Sequence, residues 1–363
     1  MNLNKMNNSI IKMGFVLGFI AIYLSACSEE AQKKLAGFPV ALSQRNEIVF
    51  IMDKPMWEGA VGDSCRAYFG GDFPVIPQPE PIFDLKFFTP RMLSERTVRK
   101  EFRSYIFVAN LNDESSPTTR MVIKDIGEEQ TEKAKSNEKV NMMVGHDKWA
   151  KGQQLIYLFG GSDDDLMKAI AQKFPTITRR VHKFDRGKLS ESVYYQGVDE
   201  QIMKTIKDTM GVNIKVPGEY FIALNKGNTI WLRSNTQKVA FNIMLHKYKY
   251  TDAAQFTKES IKAVRDEIGK FVSTEAPNTY MQINDVDLPM LLDVVGTEKV
   301  YKVKVRGIWE IENDFMGGPF IGYLIHNPET NELLYIDGFI HAPSTTKRDY
   351  IQELDLILQS VSF

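Results

Sequence analysis

VYKVKVRGIWEIE (residues 300–312), PFIGYLIHN (319–327) and ELLYIDGFIHA (332–342) decide the fold of the carboxy-terminal half. In the first, Tyr301, Val303, Val305, Trp309 and Ile311 share one face with Gly307. Lys302, Lys304, Arg306, Glu310 and Glu312 take the other, interrupted by Ile308. Successive side chains of an extended chain point to opposite faces, so this period of two predicts a strand. The next two stretches are strand-like and flank PETNE, a turn-rich pentapeptide, so the three predict an antiparallel meander.

Working outward, EYFIALN (219–225) and TIWLRSN (229–235) predict a hairpin across Lys226-Gly227-Asn228, and KVAFNIMLHKYKY (238–250) a longer strand. Ile261, Val264 and Ile268 form the stripe of a helix over 257–271. A last helix over 346–361 places Ile351, Leu354, Leu358 and Val361 on one face, with Thr346 and Asp349 at capping-box spacing. In the amino-terminal half, NEIVFIM (46–52), FDLKFF (83–88), SYIFVANL (104–111) and QQLIYLFG (153–160) are strand-like. Ser162 caps a helix reading SDDDLMKAIAQKF (162–174), whose acidic first turn suits the positive end of the helix dipole. The polar stretch 112–148 reads as a protruding loop or a poorly ordered excursion. The expected fold class is α+β in two mixed units, 46–211 and 212–363, the second a largely antiparallel sheet with helices packed on it.

The 363 residues suffice for two domains with sizeable cores. A formal net charge of −1 provides no field to attract nucleic acid. Five histidines and two cysteines argue against a metal cage or a disulfide framework, and no cofactor is expected.

The first 26 residues read as a signal segment. Lys5 and Lys12 precede the apolar run MGFVLGFIAIYL (13–24), too short to span a bilayer as a helix, and small residues lead into Cys27. LSAC (24–27) resembles a bacterial lipobox, which implies lipidation (palmitate included) and cleavage at Cys27. Acyl chains, contributing ~0.8 kcal/mol per buried CH₂, would then anchor the chain. Residues 27–45 form a tether with an r.m.s. reach of roughly 20 Å. The expected location is the outer membrane. Ser28, Glu29 and Glu30 resemble a surface-export signal, but a solvated tether facing the periplasm accounts for them equally. Lipidation leaves Cys65 without a disulfide partner.

WEG (57–59), IPQPEPIFDL (76–85), RGIWEIENDFMGGPF (306–320) and GFIHAPSTTKRDYIQELDLIL (338–358) together resemble a Bacteroidota lipoprotein family, domain of unknown function 4837, over nearly the whole mature chain. The resemblance supports the envelope location and implies no catalytic residues. The carboxy-terminal element order is also similar to Mog1 and PsbP-like domains, which bind partners.

Two patterns offer catalysis. Gly62-Asp63-Ser64 is similar to the nucleophile block of GDS-type esterases, with Cys65 beside it. Such a serine needs a histidine base, and Asp337 to His341 is one residue longer than those esterases' Asp-x-x-His. The competing reading has Asp63 or Ser64 capping a helix that buries Cys65 and Phe69. Glu310 and Glu312, about 6–7 Å apart on one strand face, match paired glycosidase acids, as does any solvated strand. FPVIPQPEP (73–81) reads as a stiff polyproline connection. DFMGGPF (314–320) reads either as a glycine turn with positive φ or as an apolar lip formed by Phe315, Met316 and Phe320 beside Trp309. The expected function is a non-enzymatic, membrane-anchored module that binds an envelope protein or small ligand, with an envelope hydrolase as the alternative.

Overall fold

A computed structural model describes residues 39–137, 140–296 and 300–363. The signal segment, Cys27, Ser28, Glu29, Glu30 and the tether up to residue 38 lie outside the described residues. No helix among those described is long and apolar enough to cross a membrane. Two compact units emerge: residues up to Gly62 with Lys86–Ala169, and Asp63–Leu85 with Ile170–Phe363.

In chain order the first half contains β1 (Glu47–Ile51), α1 (Lys54–Glu58), α2 (Ala60–Phe69), β2 (Asp84–Phe88), α3 (Pro90–Glu95) and β3 (Ser104–Asn110). It continues with α4 (Pro117–Ile126), α5 (Glu128–Ser136), β4 (Met142–His146), β5 (Gln154–Gly160) and α6 (Asp163–Val193). The sheet order is β2-β1-β3-β5-β4. β1, β3 and β5 run parallel, with Val49 opposite Tyr105 and Tyr105 opposite Leu155, while β4 is antiparallel to β5. Parallel strands are covered on both faces, which explains the unbroken burial of β3 and β5.

The stretch 112–148 is not the expected loop. Ser116 Oγ accepts from Thr119 N at 3.0 Å and Pro117 takes the first helical position, so α4 starts on a strong cap and buries Val122 and Ile126. α5 buries only Thr131 and therefore carries little apolar periodicity. α6 likewise runs past Phe174 through an internal Pro175 to 31 residues.

The second half contains α7 (Glu200–Met210), β6 (Phe221–Lys226), β7 (Thr229–Asn235), β8 (Ala240–Lys249), α8 (Lys258–Gly269), β9 (Tyr280–Asn284) and β10 (Leu291–Val294). β11 (Lys302–Glu312), β12 (Gly317–Asn327), β13 (Glu332–His341) and α9 (Arg348–Leu358) follow. The eight-stranded sheet has the order β10-β11-β12-β13-β8-β7-β6, with β9 also on β11, and the pairs described are antiparallel. The fold is thus mixed α and β in both halves, with the meander in the expected place.

The sheet of the second unit is buried on both faces. One face carries Ile243, Leu245, Ile321, Leu334 and Ile336 against Ile206 of α7 and Leu354 and Leu358 of α9. The opposite face carries Met244, Trp309, Phe320, Tyr335 and Phe339 against Ile261 and Ile268 of α8. Burying each large apolar side chain contributes ~1.5–3 kcal/mol. In that second core Arg265 and Asp337 are both fully buried, Nε 3.0 Å from Oδ2, with the guanidinium 3.8 Å from the Phe320 ring centroid. The approach lacks hydrogen-bond alignment, so this is an ion contact. Burial pushes the Asp337 carboxyl up, against the pull of Arg265.

α9 begins at Arg348, and its expected Thr346 cap is absent: Lys347 occupies the N-cap position without a side-chain bond. Glu80 supplies the cap instead, accepting from Lys347 N at 2.6 Å and Arg348 N at 2.9 Å. A carboxylate on two free amides at the positive helix end satisfies both.

Candidate functional site

The residues singled out by sequence do not converge. Ser64 lies inside α2, and among the described residues it has no histidine partner. Asp63 pairs with Arg66 at 2.6 Å rather than capping the helix, which starts at Ala60. Cys65 is fully buried and burial pushes its thiol up to about 12, the opposite of an activated nucleophile. Phe69, on the same helix face, packs on Phe83 and Phe174.

Glu310 and Glu312 share a strand face, but amides occupy them. Gln282 Nε2 donates to Glu310 Oε1 at 3.1 Å and to Glu312 Oε2 at 2.8 Å, and Asn284 Nδ2 donates to Glu310 Oε2 at 2.8 Å. Both carboxylates are thus engaged by side-chain amides of the neighbouring strand β9. Asp337 is committed to Arg265, and His341 Nδ1 lies 3.5 Å from Gly317 O beside Trp309. No group of three or more His, Cys, Asp or Glu among the described residues is placed to hold a metal ion.

The expected apolar lip also needs correction. Trp309 and Phe320 are 3% and 1% exposed because β11 and β12 turn these side chains into the core beneath α8. Met316 packs against that core, and only Phe315 is fully exposed. Positive φ falls on Asn313 (62°), not on the glycines. Gly318 permits close approach instead: a Cβ there would lie 2.2 Å from Ile340 O. Pro319 sits within β12 opposite Ile308.

A site with the geometry of a ligand pocket lies elsewhere, at the carboxyl ends of β3 and β5. It is a cavity of about 210 Å³ between the segments following these strands, the end of α5 and the approach to β4. Leu111 and Phe159 form its apolar floor, and Asn112, Lys135, Asn141 and Asp165 its polar wall. Open α/β sheets characteristically place ligands outside the carboxyl ends of their strands.

Local bonding holds the wall in place. Asn112 Nδ2 donates to Gly161 O at 2.9 Å, and Asn112 N to Asn110 Oδ1 at 3.0 Å, locking the turn after β3 onto the turn after β5. Ser162 Oγ donates to Asp165 Oδ2 at 2.7 Å and accepts from Asp165 N at 3.2 Å. Gly160 and Gly161 sit tightly, since a Cβ on either would lie 3.0 Å from Asp165 Cβ or Asn112 Nδ2 respectively and the neighbour would have to give slightly. Lys135 Nζ is neutralised by Glu114 at 3.1 Å.

Asn141 is the exception to this satisfied network. It is 9% exposed, and its Oδ1 has no hydrogen-bond partner among the described residues. An unmet buried acceptor costs about 1–3 kcal/mol. With the Asp165 carboxylate it leaves the wall rich in acceptors, whereas its one ammonium is already paired. Half of the cavity lining falls within 112–148, the stretch read as a loop, so no sequence period pointed to that half. The cues present were Gly160-Gly161-Ser162 after a strand and Ser116-Pro117 at a helix start.

Residues 199–360 match the family model described as Domain of unknown function (DUF4837), and residues 41–194 match another, Domain of unknown function (DUF8532). The chain therefore carries two domains of unknown function. The cavity lies in the DUF8532 part. Of the stretches that carry the resemblance to DUF4837, 306–320 and 338–358 fall in the DUF4837 match, while 57–59 and 76–85 fall in the DUF8532 match. No curated protein matches the chain. Among solved structures, the chain is similar to the Ran-binding protein Mog1p of Saccharomyces cerevisiae at 12% identity and a TM-score of 0.28, covering 42% of this chain and 89% of that one. A mutant of protein Mog1 gives 13% identity and 0.27 over the same shares. These scores carry no functional argument.

Proposed function

We propose that this chain is a lipid-anchored binding protein of the outer membrane that holds a small ligand, rich in hydroxyl or amino donors, in the DUF8532 cavity. The observation behind this is the unpartnered Asn141 Oδ1 inside a cavity of about 210 Å³. A volume of that size holds several waters or one compact polar molecule, each water taking ~30 Å³. Such a ligand would donate to Asn141 Oδ1 and to the Asp165 carboxylate, which already accepts from Ser162 and stands 4.0 Å from the exposed Lys168 ammonium, while Leu111 and Phe159 contact its apolar side. Binding without covalent chemistry is favoured because the acceptor wall contains no activated nucleophile.

A thermal-shift panel of monosaccharides, polyols and primary amines tests the ligand. At least one compound is expected to raise the melting temperature of the wild-type chain saturably and to leave Asn141→Leu unmoved. A panel that moves both proteins equally, or neither, rules this site out. Anchoring is tested separately: Cys27→Ala is expected to lose incorporation of labelled palmitate and to leave the membrane fraction, and continued labelling refutes the anchor.

A further inference from the structure

We infer a second, independent ligand site in the DUF4837 half: the pocket where β11 starts and β12 ends is built for a small anionic amphiphile, its acidic head on Lys302. The charge balance of the sheet face carries this. Lys302, Lys304 and Tyr323 lie together on the face covered by α9, and the carboxylate that reaches them is Asp355. That carboxylate is already engaged, receiving Lys304 Nζ at 2.9 Å on Oδ2 and the Tyr323 hydroxyl on Oδ1. Gln359 Nε2 closes the network on Tyr323 Oη at 3.2 Å.

Lys302 is left half-buried with no carboxylate within 4.0 Å among the described residues, its ammonium 4.0 Å from the Tyr323 ring centroid. The ring face and the more distant Asp355 carboxylate supply some negative potential, but no carboxylate pairs directly with this partly desolvated cation. Burial accordingly pulls the Lys302 pKa down.

Beside Lys302 opens a pocket of about 460 Å³, within the size range of small-molecule sites. Ile325, Pro328, Val361 and Phe363 give it apolar walls. Asn327 and Ser362 add hydrogen-bonding groups, and Glu329 stands exposed at the rim, where water screens its charge. A single cation at one end of an apolar trough matches a head-and-tail ligand: the acid neutralises Lys302 and the short chain covers the walls.

Isothermal titration of the purified chain with decanoate, decanol and butyrate tests this. Decanoate is expected to saturate one site, and the two controls, each lacking either head charge or tail, to bind at least about tenfold more weakly. Lys302→Gln is expected to weaken decanoate by about tenfold or more, and Lys302→Arg to retain it. Ser362→Asp is exposed and brings a like charge to the head, so it provides a second lesion if Lys302→Gln misfolds. Absence of saturable decanoate binding, or decanoate bound as tightly by Ser362→Asp and Lys302→Gln as by wild type, overturns the site. Asn141→Leu should leave decanoate affinity unchanged, which separates this outcome from that of the DUF8532 cavity.

Discussion

Replacing Arg265 by methionine removes one side of a fully buried ion contact and leaves Asp337 charged in an apolar core. At the observed 3.0 Å separation the attraction lost is about 5–6 kcal/mol with an effective dielectric of ~20. Methionine restores apolar contact with Phe320 but not the cation on its ring, so the net cost is expected to be about 3–5 kcal/mol. The double variant Arg265→Met with Asp337→Leu removes both charges and should recover most of that loss. Hydrogen exchange of β12 and β13 amides across a urea series measures it in the second unit alone. The deficit of the single variant should also shrink on acidification. Burial raises the Asp337 pKa, and without Arg265 it rises further. A carboxyl whose folded pKa exceeds its unfolded value stabilises the fold at low pH and loses that contribution as pH climbs between the two. A single variant costing under about 1 kcal/mol, or a double variant as weak as the single, refutes the picture of a mutually dependent buried pair.

Other perturbations follow from the same packing. Glu80→Ala should destabilise the second unit by about 1–2 kcal/mol in urea unfolding, because two amides of α9 lose their acceptor. Burial lowers the pKa of His182, so its neutral form contributes stability above the unfolded pKa near 6.5 that is lost as pH falls through the folded value. His182→Gln should flatten the drop in melting temperature between pH 7 and pH 5, and an unaltered slope would contradict that assignment. Cys65 should resist Ellman's reagent in the folded chain and react at once in urea, since burial both hides the thiol and pushes it up to about 12.

What the sequence reveals depends on how many faces each element buries. The alternation in residues 300–312 identifies β11 correctly, and the turn Lys226-Gly227-Asn228, with Gly227 at φ 58°, marks the hairpin of β6 and β7. The same alternation could not tell inside from outside, because both faces of the second sheet are covered. Trp309 and Phe320 therefore read as surface when they fill a core. α5 buries little beyond Thr131 and leaves no apolar stripe, so the end of that helix and Asn141 beyond it, which wall the cavity, stayed illegible. The cap of α9 comes from Glu80, 267 residues away from the amide of Lys347, and no local spacing encodes such a partner. Gly307 breaks the β11 pattern for a reason visible only in three dimensions: a Cβ there would lie 2.5 Å from the Phe320 ring.

Urea unfolding of Asn141→Leu, without any added compound, tests the ligand site most directly. An Asn kept for a ligand stabilises nothing in the empty protein, so the near-isosteric apolar replacement should leave the first unit as stable as wild type or up to about 1–2 kcal/mol more stable. A loss of about 1 kcal/mol or more would show that Asn141 Oδ1 already serves the fold, and would contradict the cavity as a binding site.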